Sequence, residues 1–280
     1  MLSINAKISW CINSVIGAKA RIDRPKTTAI VVTTYNWPEA LRLCLSSISA
    51  QSELPDQIVI ADDGSQPHTR EMVSKTLSGL DYDYCWQPDL SFRAARARNL
   101  ALSRITSDYV IFIDGDCVLP IDFVRNHKRL AEPKKLVAGS RNLLSKQKTD
   151  KYMRRSPPLI DDKDFFSRKF IQLPLGPLRY AAPSNWKSVR TCNMSLYIDD
   201  VLRVDGFDES YVGWGKEDSD LVIRLLNSGV AIKSGRFAVC VNHLNHKQQD
   251  RSELAVNEQK FRIRLNDHDS QPDTRSALSE

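Results

Sequence analysis

From Thr28 onward, short unbroken apolar runs alternate with longer stretches whose apolar residues recur every three or four positions, the rhythm of repeated βαβ units. Ala29-Ile30-Val31-Val32-Thr33-Thr34 predicts a buried strand, and Asn36 with Pro38 then opens a helix carrying Leu41, Leu45 and Ile48 on one face. Gln57 to Ala61 predicts a second strand, Pro67 to Leu77 a helix, Tyr82 to Trp86 a third strand and Ser91 to Ile105 a helix rich in Ala and Arg. Tyr109 to Ile113 is apolar throughout, as a central parallel strand is. From Lys134 to Lys187 the periodicity fades among prolines and basic residues, which predicts an irregular loop or lid. Leu221, Ile223, Leu225 and Leu226 mark a later helix, Phe237 to Val241 a strand-like run, and the chain from about Asp267 is polar and patternless.

The opening stretch differs. Ile4, Ile8, Cys11, Ile12, Val15 and Ile16 fall at helical spacing with Lys7, Lys19, Arg21, Arg24 and Lys26 around them, predicting an amphipathic helix. Such a helix either packs on the body or lies on an anionic membrane surface. Lys7, Asn13 and Ser14 interrupt it too early for a secretory signal, and no apolar run reaches the roughly 18 to 20 residues that span a bilayer.

Composition narrows the picture. The 280 residues, 41% hydrophobic and 26% charged, suit one sizeable folded α/β domain. The net charge of +6 favours anionic partners such as nucleotide phosphates, acidic lipid surfaces or acidic glycans. Six scattered cysteines, Cys11, Cys44, Cys85, Cys117, Cys192 and Cys240, form neither a CxxC pair nor a dense framework, so a reduced, cytoplasmic setting is expected.

Three predicted strands end in polar residues: Tyr35-Asn36, Asp62-Asp63 and Asp114-Gly115-Asp116. In an open parallel sheet these loops share one carboxyl edge, where ligands bind. Capping carboxylates explain any one such loop, but three in succession point to a nucleotide site. Asp114 and Asp116, one residue apart after a buried strand, can hold a hard divalent cation that in turn meets diphosphate oxygens. A second constellation runs from Gly213-Trp214-Gly215-Lys216 into Glu217-Asp218-Ser219-Asp220 at a helix start, where acidic side chains suit the dipole. N-capping accounts for one of these carboxylates and leaves the others, and the Trp-Gly pair, without a role.

With Thr33-Thr34-Tyr35-Asn36, Ala61-Asp62-Asp63-Gly64-Ser65, Ala97-Arg98-Asn99, Asp114-Gly115-Asp116, Cys192-Asn193-Met194-Ser195 and Gly213-Trp214-Gly215-Lys216-Glu217-Asp218 in order over residues 28 to 245, the chain resembles a family-2 glycosyltransferase of the GT-A fold with a galactosyltransferase-type C-terminal region. The resemblance implies an inverting, metal-dependent transfer of a hexose or N-acetylhexosamine from a UDP-sugar to a glycan or glycolipid acceptor. It implies a Rossmann-like nucleotide-binding half with a mostly parallel central sheet, residues 28–133, fused to an acceptor-binding catalytic half, residues 134–265, between an N-terminal arm (1–27) and a mobile polar tail (266–280).

By the same resemblance Thr34, Tyr35, Asn36, Asp62, Asp63, Arg93, Arg98 and Asp114 would bind the nucleotide-sugar, with Tyr35 beside the nucleobase and Asp62 or Asp63 accepting from the uracil imide. Asp116, Asp114 and His243 would hold Mn²⁺ or Mg²⁺, with His246 the alternative histidine; a hydrogen-bonded or exposed histidine is the plainer reading of either. Asp218 would be the general base, Glu217 would orient it or the acceptor, and Asn193, Trp214 and Gly215 would meet the acceptor, Trp214 by stacking on a sugar ring. Ser219, which breaks the acidic run, and the unusually basic helix from Arg93 to Arg104 depart from the pattern.

Three other functions fit parts of the sequence. A non-catalytic nucleotide-sugar-binding scaffold would be expected to lack a metal or base carboxylate, yet Asp116, Glu217 and Asp218 are present. A nucleotidyltransferase would carry a glycine-rich loop where this chain has Tyr35-Asn36-Trp37-Pro38. Arg93, Arg96, Arg98 and Arg104 are accounted for by diphosphate binding or a solvated helix face, so no nucleic-acid partner is expected. The basic character and reduced cysteines fit bacterial polysaccharide or lipopolysaccharide synthesis at the inner face of the membrane.

Overall fold

Two sheets carry the fold in the computed structural model, which describes residues 24–154, 185–236, 238–247 and 250–269. The strands are β1 (Thr28–Thr34), β2 (Gln57–Asp62), β3 (Asp83–Trp86), β4 (Tyr109–Asp114), β5 (Cys117–Val118), β6 (Lys135–Ala138), β7 (Ser140–Leu143), β8 (Asn193–Tyr197), β9 (Ala231–Ser234) and β10 (Cys240–His243). The helices are α1 (Pro38–Ser49), α2 (Pro67–Thr76), α3 (Ala94–Leu102), α4 (Phe123–Leu130), α5 (Lys146–Met153), α6 (Ile198–Arg203), α7 (Glu217–Asn227) and α8 (Leu254–Asp269), with a 3₁₀ turn at Trp186–Ser188.

The larger sheet has the order β3-β2-β1-β4-β8-β6-β9. β1 pairs in parallel with β2 and β4, and β2 with β3, while β8 runs antiparallel to β4 and β6. The sheet therefore continues across residue 133 into β6, β8 and β9. Alternation along each strand sends Ile30, Val32, Ile58, Ile60, Ile111 and Ile113 to one face, against Leu41, Leu45 and Ile48 of α1. Val31, Val59, Val110 and Phe112 face the other side, against Ala97 and Ala101 of α3 and Leu221, Val222 and Leu225 of α7. Each large aliphatic side chain buried in these layers contributes on the order of 1.5–3 kcal/mol.

β1, β2 and β4 end at the same edge, since Thr34 lies opposite Asp62 and Thr33 opposite Asp114. The smaller sheet, β5-β10-β7, sits beside that edge, with His243 opposite Cys117.

Four details depart from the periodicity. The third helix begins at Ala94 rather than Ser91, because Ser91 takes a left-handed φ of 71° and the Arg93 N–H is spent on the Asp63 carboxylate. The stretch from Lys134 contains β6, β7 and α5 before residues 155–184, which lie outside the described residues. β7 hides its pattern because its strand Ser-Arg-Asn-Leu is polar, and Asn142 donates across to Asn242 at 2.9 Å. The strand read at Phe237 to Val241 starts at Cys240, since the N–H groups of Ala238 and Val239 both turn back to the Gly235 carbonyl. At the C-terminal end α8 continues to Asp269, past the point where the pattern is lost.

The N-terminal amphipathic helix and the tail beyond Asp269 lie outside the described residues. Among the described residues no helix is long and apolar enough to cross a membrane, and Cys44, Cys85, Cys117, Cys192 and Cys240 are free thiols.

Candidate active site

The loops after β1 and β2 are tied to each other. Asn36, at a left-handed φ of 44°, accepts from the Gln66 N–H with its side chain while its own N–H donates to Ser65 Oγ. Asn adopts that conformation at little strain, which is why it can stand where a glycine is absent. The fully buried Asp62 accepts from the N–H groups of Gly64 and Ser65 and from the Tyr84 hydroxyl, so its carboxylate closes the turn. Asp63 accepts the Arg93 N–H at 2.7 Å and the Gln87 side-chain amide, leaving one lone pair on each oxygen. Burial pushes its carboxyl above the ordinary value, against those two bonds. Of the two carboxylates, Asp62 keeps one acceptor position, on Oδ2, and Asp63 keeps one on each oxygen.

Tyr35 is exposed and donates to Asp89 at 2.9 Å. With Ser91, Phe92 and Gly213 it lines a cavity of about 180 Å³, bounded further by Asp250, Ser252 and Glu253. The Arg93 guanidinium turns to the Pro88 carbonyl, and the buried Thr34 lies against Gly115.

Arg98 has a place that its spacing did not reveal. Its side chain is 4% exposed and bridges the two acidic motifs: Nη2 lies 3.3 Å from Asp114 Oδ1, Nη1 3.2 Å from Glu217 Oε1, and Nε donates to Thr33 Oγ1 at 3.1 Å. Its guanidinium also lies 5.4 Å from the Phe207 ring centroid. Burial works against its charge, but Asp114, Glu217 and Asp218 outweigh that and hold the guanidinium charged. With Thr33, Asp114 and Glu217 as its partners, Arg98 fixes β4 relative to the start of α7. The separation of 119 positions between Arg98 and Glu217 hides the pairing from local reading.

α7 begins under strain. Lys216 holds a left-handed φ of 79°, which costs a non-glycine residue roughly 1–2 kcal/mol. It is held there with Nζ 3.5 Å from Glu258 and 5.7 Å from the Phe261 ring centroid of α8. Gly213 has a φ of 78°, and a Cβ there would come within 2.5 Å of Glu253 Cβ, so only glycine lets the loop pass under α8. Glu217 is buried, and burial and the neighbouring Asp218 push its carboxyl up against the pull of Arg98. Asp218 is half-buried; its Oδ1 accepts from the Ser219 N–H and hydroxyl, and among the described residues its Oδ2 accepts nothing. Asp220 is structural, fully buried and bonded to Tyr211, Arg224 and Arg264.

Asp116, His243 and His246 converge with one ligand atom each inside 4.8 Å. The Asp116 oxygens lie 3.5 Å from His243 Nε2 and 3.4 Å from His246 Nε2. His243 Nδ1 faces the Leu244 carbonyl at 3.0 Å and His246 Nδ1 the Lys247 carbonyl at 2.6 Å, so in the neutral rings Nδ1 carries the proton and Nε2 presents its lone pair. Two imidazole lone pairs and a carboxylate pointing at one another repel unless a cation sits among them, so the donor set fits a divalent metal. Both histidines belong to the cluster, whereas Asp114, tied to Arg98, lies outside it. His246 also lines a cavity of about 400 Å³ with Trp37, Glu39 and Asn245.

The three residues expected at the acceptor differ in exposure. The Asn193 side chain is 2% exposed; its amide nitrogen donates to the Ser140 and Val239 carbonyls and its oxygen faces His127 Nε2 at 3.1 Å. It is a junction between β6–β8 and the smaller sheet. Trp214, 36% exposed, has the Arg251 guanidinium 4.6 Å from its ring centroid, so one of its faces is covered. Gly215 lies beneath Leu254.

Residues 29–205 match the family model described as glycosyl transferase family 2, and residues 178–247 that described as the N-terminal domain of galactosyltransferase. Validoxylamine A glucosyltransferase of Streptomyces hygroscopicus subsp. limoneus is 27% identical over 279 residues, covering 92% of this chain and 59% of that protein. Chondroitin synthase of Escherichia coli is 25% identical over 226 residues, 74% of this chain and 33% of that protein. The chain thus spans about three fifths of the first relative and a third of the second. Among solved structures, S. aureus TarS 1–349 in complex with UDP-GlcNAc superposes with a TM-score of 0.59 at 14% identity over 85% of this chain and 66% of that one. The mannosyltransferase PcManGT from Pyrobaculum calidifontis in complex with GDP-Man and Mn²⁺ does so at 0.56 and 18% identity, over 94% and 68%. At such identities the likeness is one of fold, the GT-A fold.

Proposed function

Because the chain belongs to glycosyl transferase family 2, we propose that it is an inverting, metal-dependent glycosyltransferase. It moves a hexose or N-acetylhexosamine from a UDP-sugar to a carbohydrate acceptor, in bacterial polysaccharide or lipopolysaccharide synthesis. The observation that carries the reading is the convergence of Asp116, His243 and His246 at the same sheet edge as the half-buried Asp218. The names of relatives that act on carbohydrate, and the UDP-GlcNAc complex of a protein of like fold, support the donor and acceptor classes.

In this account Tyr35 and Asp63 receive the nucleobase, and Asp116, His243 and His246 hold the cation, Mn²⁺ or Mg²⁺. When bound, that cation offsets the negative charge of the departing diphosphate. Asp218 takes the proton from the acceptor hydroxyl through its free Oδ2 as the oxygen attacks the anomeric carbon; the bond from that carbon to the diphosphate breaks, and its configuration inverts. Glu217 and Asp114, both held by Arg98, keep base and donor in register. Membrane association would come from the basic N-terminal segment.

The test is release of free nucleotide from a panel of UDP-, GDP- and dTDP-sugars, with mixed glycan acceptors and with Mn²⁺ or chelator. Metal-dependent release from one UDP-sugar is expected; tight binding of a donor with no turnover under any condition would leave a binding protein instead.

A further inference from the structure

Several arginines near the site are neutralised by carboxylates: Arg98 by Asp114 and Glu217, Arg224 by Asp220, Arg264 by Asp208 and Asp220. The exposed cations around the start of β8 are not. Among the described residues Arg141, Lys187 and Arg190 form no ion pair. Arg141 reaches only the Cys192 sulfur, at 3.8 Å. Arg190 curls onto the carbonyls of Lys187 and Val189, and the Lys187 ammonium lies 5.5 Å from the Trp186 ring centroid.

The Arg141 guanidinium and the chain from Lys187 to Arg190 meet at one turn. The Asn193 N–H closes Arg190–Asn193 onto the Arg190 carbonyl, and Lys187 is joined to it through Arg190. Because β8 runs antiparallel to β4, with Asn193 opposite Ile113, the turn that precedes β8 lies at the edge where β4 delivers Asp114 and Asp116. Cys117 Sγ spans the gap, 3.7 Å from the Cys192 carbonyl and 3.6 Å from Asp116 Oδ1. On the other flank Trp186 packs 5.1 Å from Phe261 of α8, the helix that braces the start of α7. The turn that carries these cations therefore lies beside the edge bearing Asp116, with α8 on its other flank.

An exposed cation without a carboxylate partner is open to an anion, and arginine matches carboxylate and phosphate oxygens with two parallel donors. We propose that Arg141, Lys187 and Arg190 form an anion-recognising subsite for the acceptor, so that the glycan accepting the sugar carries a carboxylate or a phosphate ester near the hydroxyl that is glycosylated. This rests on the glycosyltransferase reading above and adds the acceptor's charge to it.

The test titrates pairs of oligosaccharides differing only in the anion into the full chain, with and without Mn²⁺ and UDP: a uronic-acid oligosaccharide against its carboxyl-reduced form, and a phosphorylated disaccharide against its dephosphorylated form. The charged member of one pair is expected to bind roughly tenfold tighter, naming carboxylate or phosphate. The preference should shrink with salt and be lost in Arg141→Gln and in Arg190→Gln, while UDP affinity is unchanged. Equal binding within both pairs overturns the inference, as does a fall of UDP affinity in these variants, which would assign the cations to the donor. So does equally tight, equally lost binding of a polynucleotide or of phosphatidylglycerol vesicles. Failure to bind UDP at all would instead count against the glycosyltransferase reading, and the titration without nucleotide still decides the subsite.

Discussion

Protonating one buried histidine should weaken the fold by a calculable amount. His127 of α4 is fully buried, with Nδ1 2.7 Å from Ser195 Oγ and Nε2 3.1 Å from Asn193 Oδ1. The Asn193 amide nitrogen faces two carbonyls, so its oxygen accepts, and His127 must donate from Nε2. Nδ1 then accepts from the Ser195 hydroxyl, which in turn accepts from Tyr109 at 2.8 Å. A second proton on the ring would take the place of the Ser195 hydroxyl hydrogen at Nδ1, and burial pushes the pKa down to about 3.

The unfolded chain takes up that proton near the ordinary value of about 6.5. The contribution of a neutral His127 is therefore complete above about pH 6.5 and is lost progressively as pH falls toward about 3. At pH 5.0 the unfolded state gains RT ln(1 + 10^1.5), about 2 kcal/mol, and at pH 7.5 almost nothing. Urea unfolding of the native chain and of His127→Gln, followed by tryptophan fluorescence at both pH values, checks this. Native stability should fall about 2 kcal/mol further than that of the variant over this interval. Equal losses would mean that the ring is already charged, or can charge freely, in the folded protein.

Other residues give further outcomes. Arg98→Met should destabilise the chain by about 3 kcal/mol, because it strands two carboxylates, and should lower kcat about a hundredfold through misplacement with UDP affinity retained; Arg98→Lys should recover part of both, as read by thermal unfolding and steady-state kinetics. Asn193→Ala should cost about 2 kcal/mol of stability by leaving His127 and two carbonyls unpaired, with the acceptor KM of the remaining folded protein unchanged. His246→Ala should weaken Mn²⁺ binding at least about tenfold, measured by the EPR signal of free Mn²⁺ in a titration without nucleotide.

The long apolar strands were legible because β1, β2 and β4 are buried on both faces, so that Ile30, Val59 and Phe112 reveal them by continuity. β6, β7 and α5 were not: the two strands have four residues each, and α5 buries only Thr149 and Tyr152, too few to mark a helical face. At the site, the sequence places Asp116 and the two candidate histidines at strand ends, but that both histidines meet the carboxylate depends on the pairing of β5 with β10. Residue type pointed Arg98 and Asn193 toward ligands, whereas packing turned both inward. The burial of Arg98 has a signal in its neighbours: a helix face of Ala94, Ala95, Ala97 and Ala101 is a buried face, and Arg98 sits on it.

The account turns on Asp116 belonging to the metal cluster and Asp218 to proton transfer, so the decisive measurement sets their variants side by side for Mn²⁺–UDP binding by calorimetry and for nucleotide release with acceptor. Asp116→Ala should lose both, whereas Asp218→Asn should keep binding within about threefold of native and lose turnover by about a hundredfold or more. Turnover surviving in Asp218→Asn, or Mn²⁺-dependent binding surviving intact in Asp116→Ala, would contradict it.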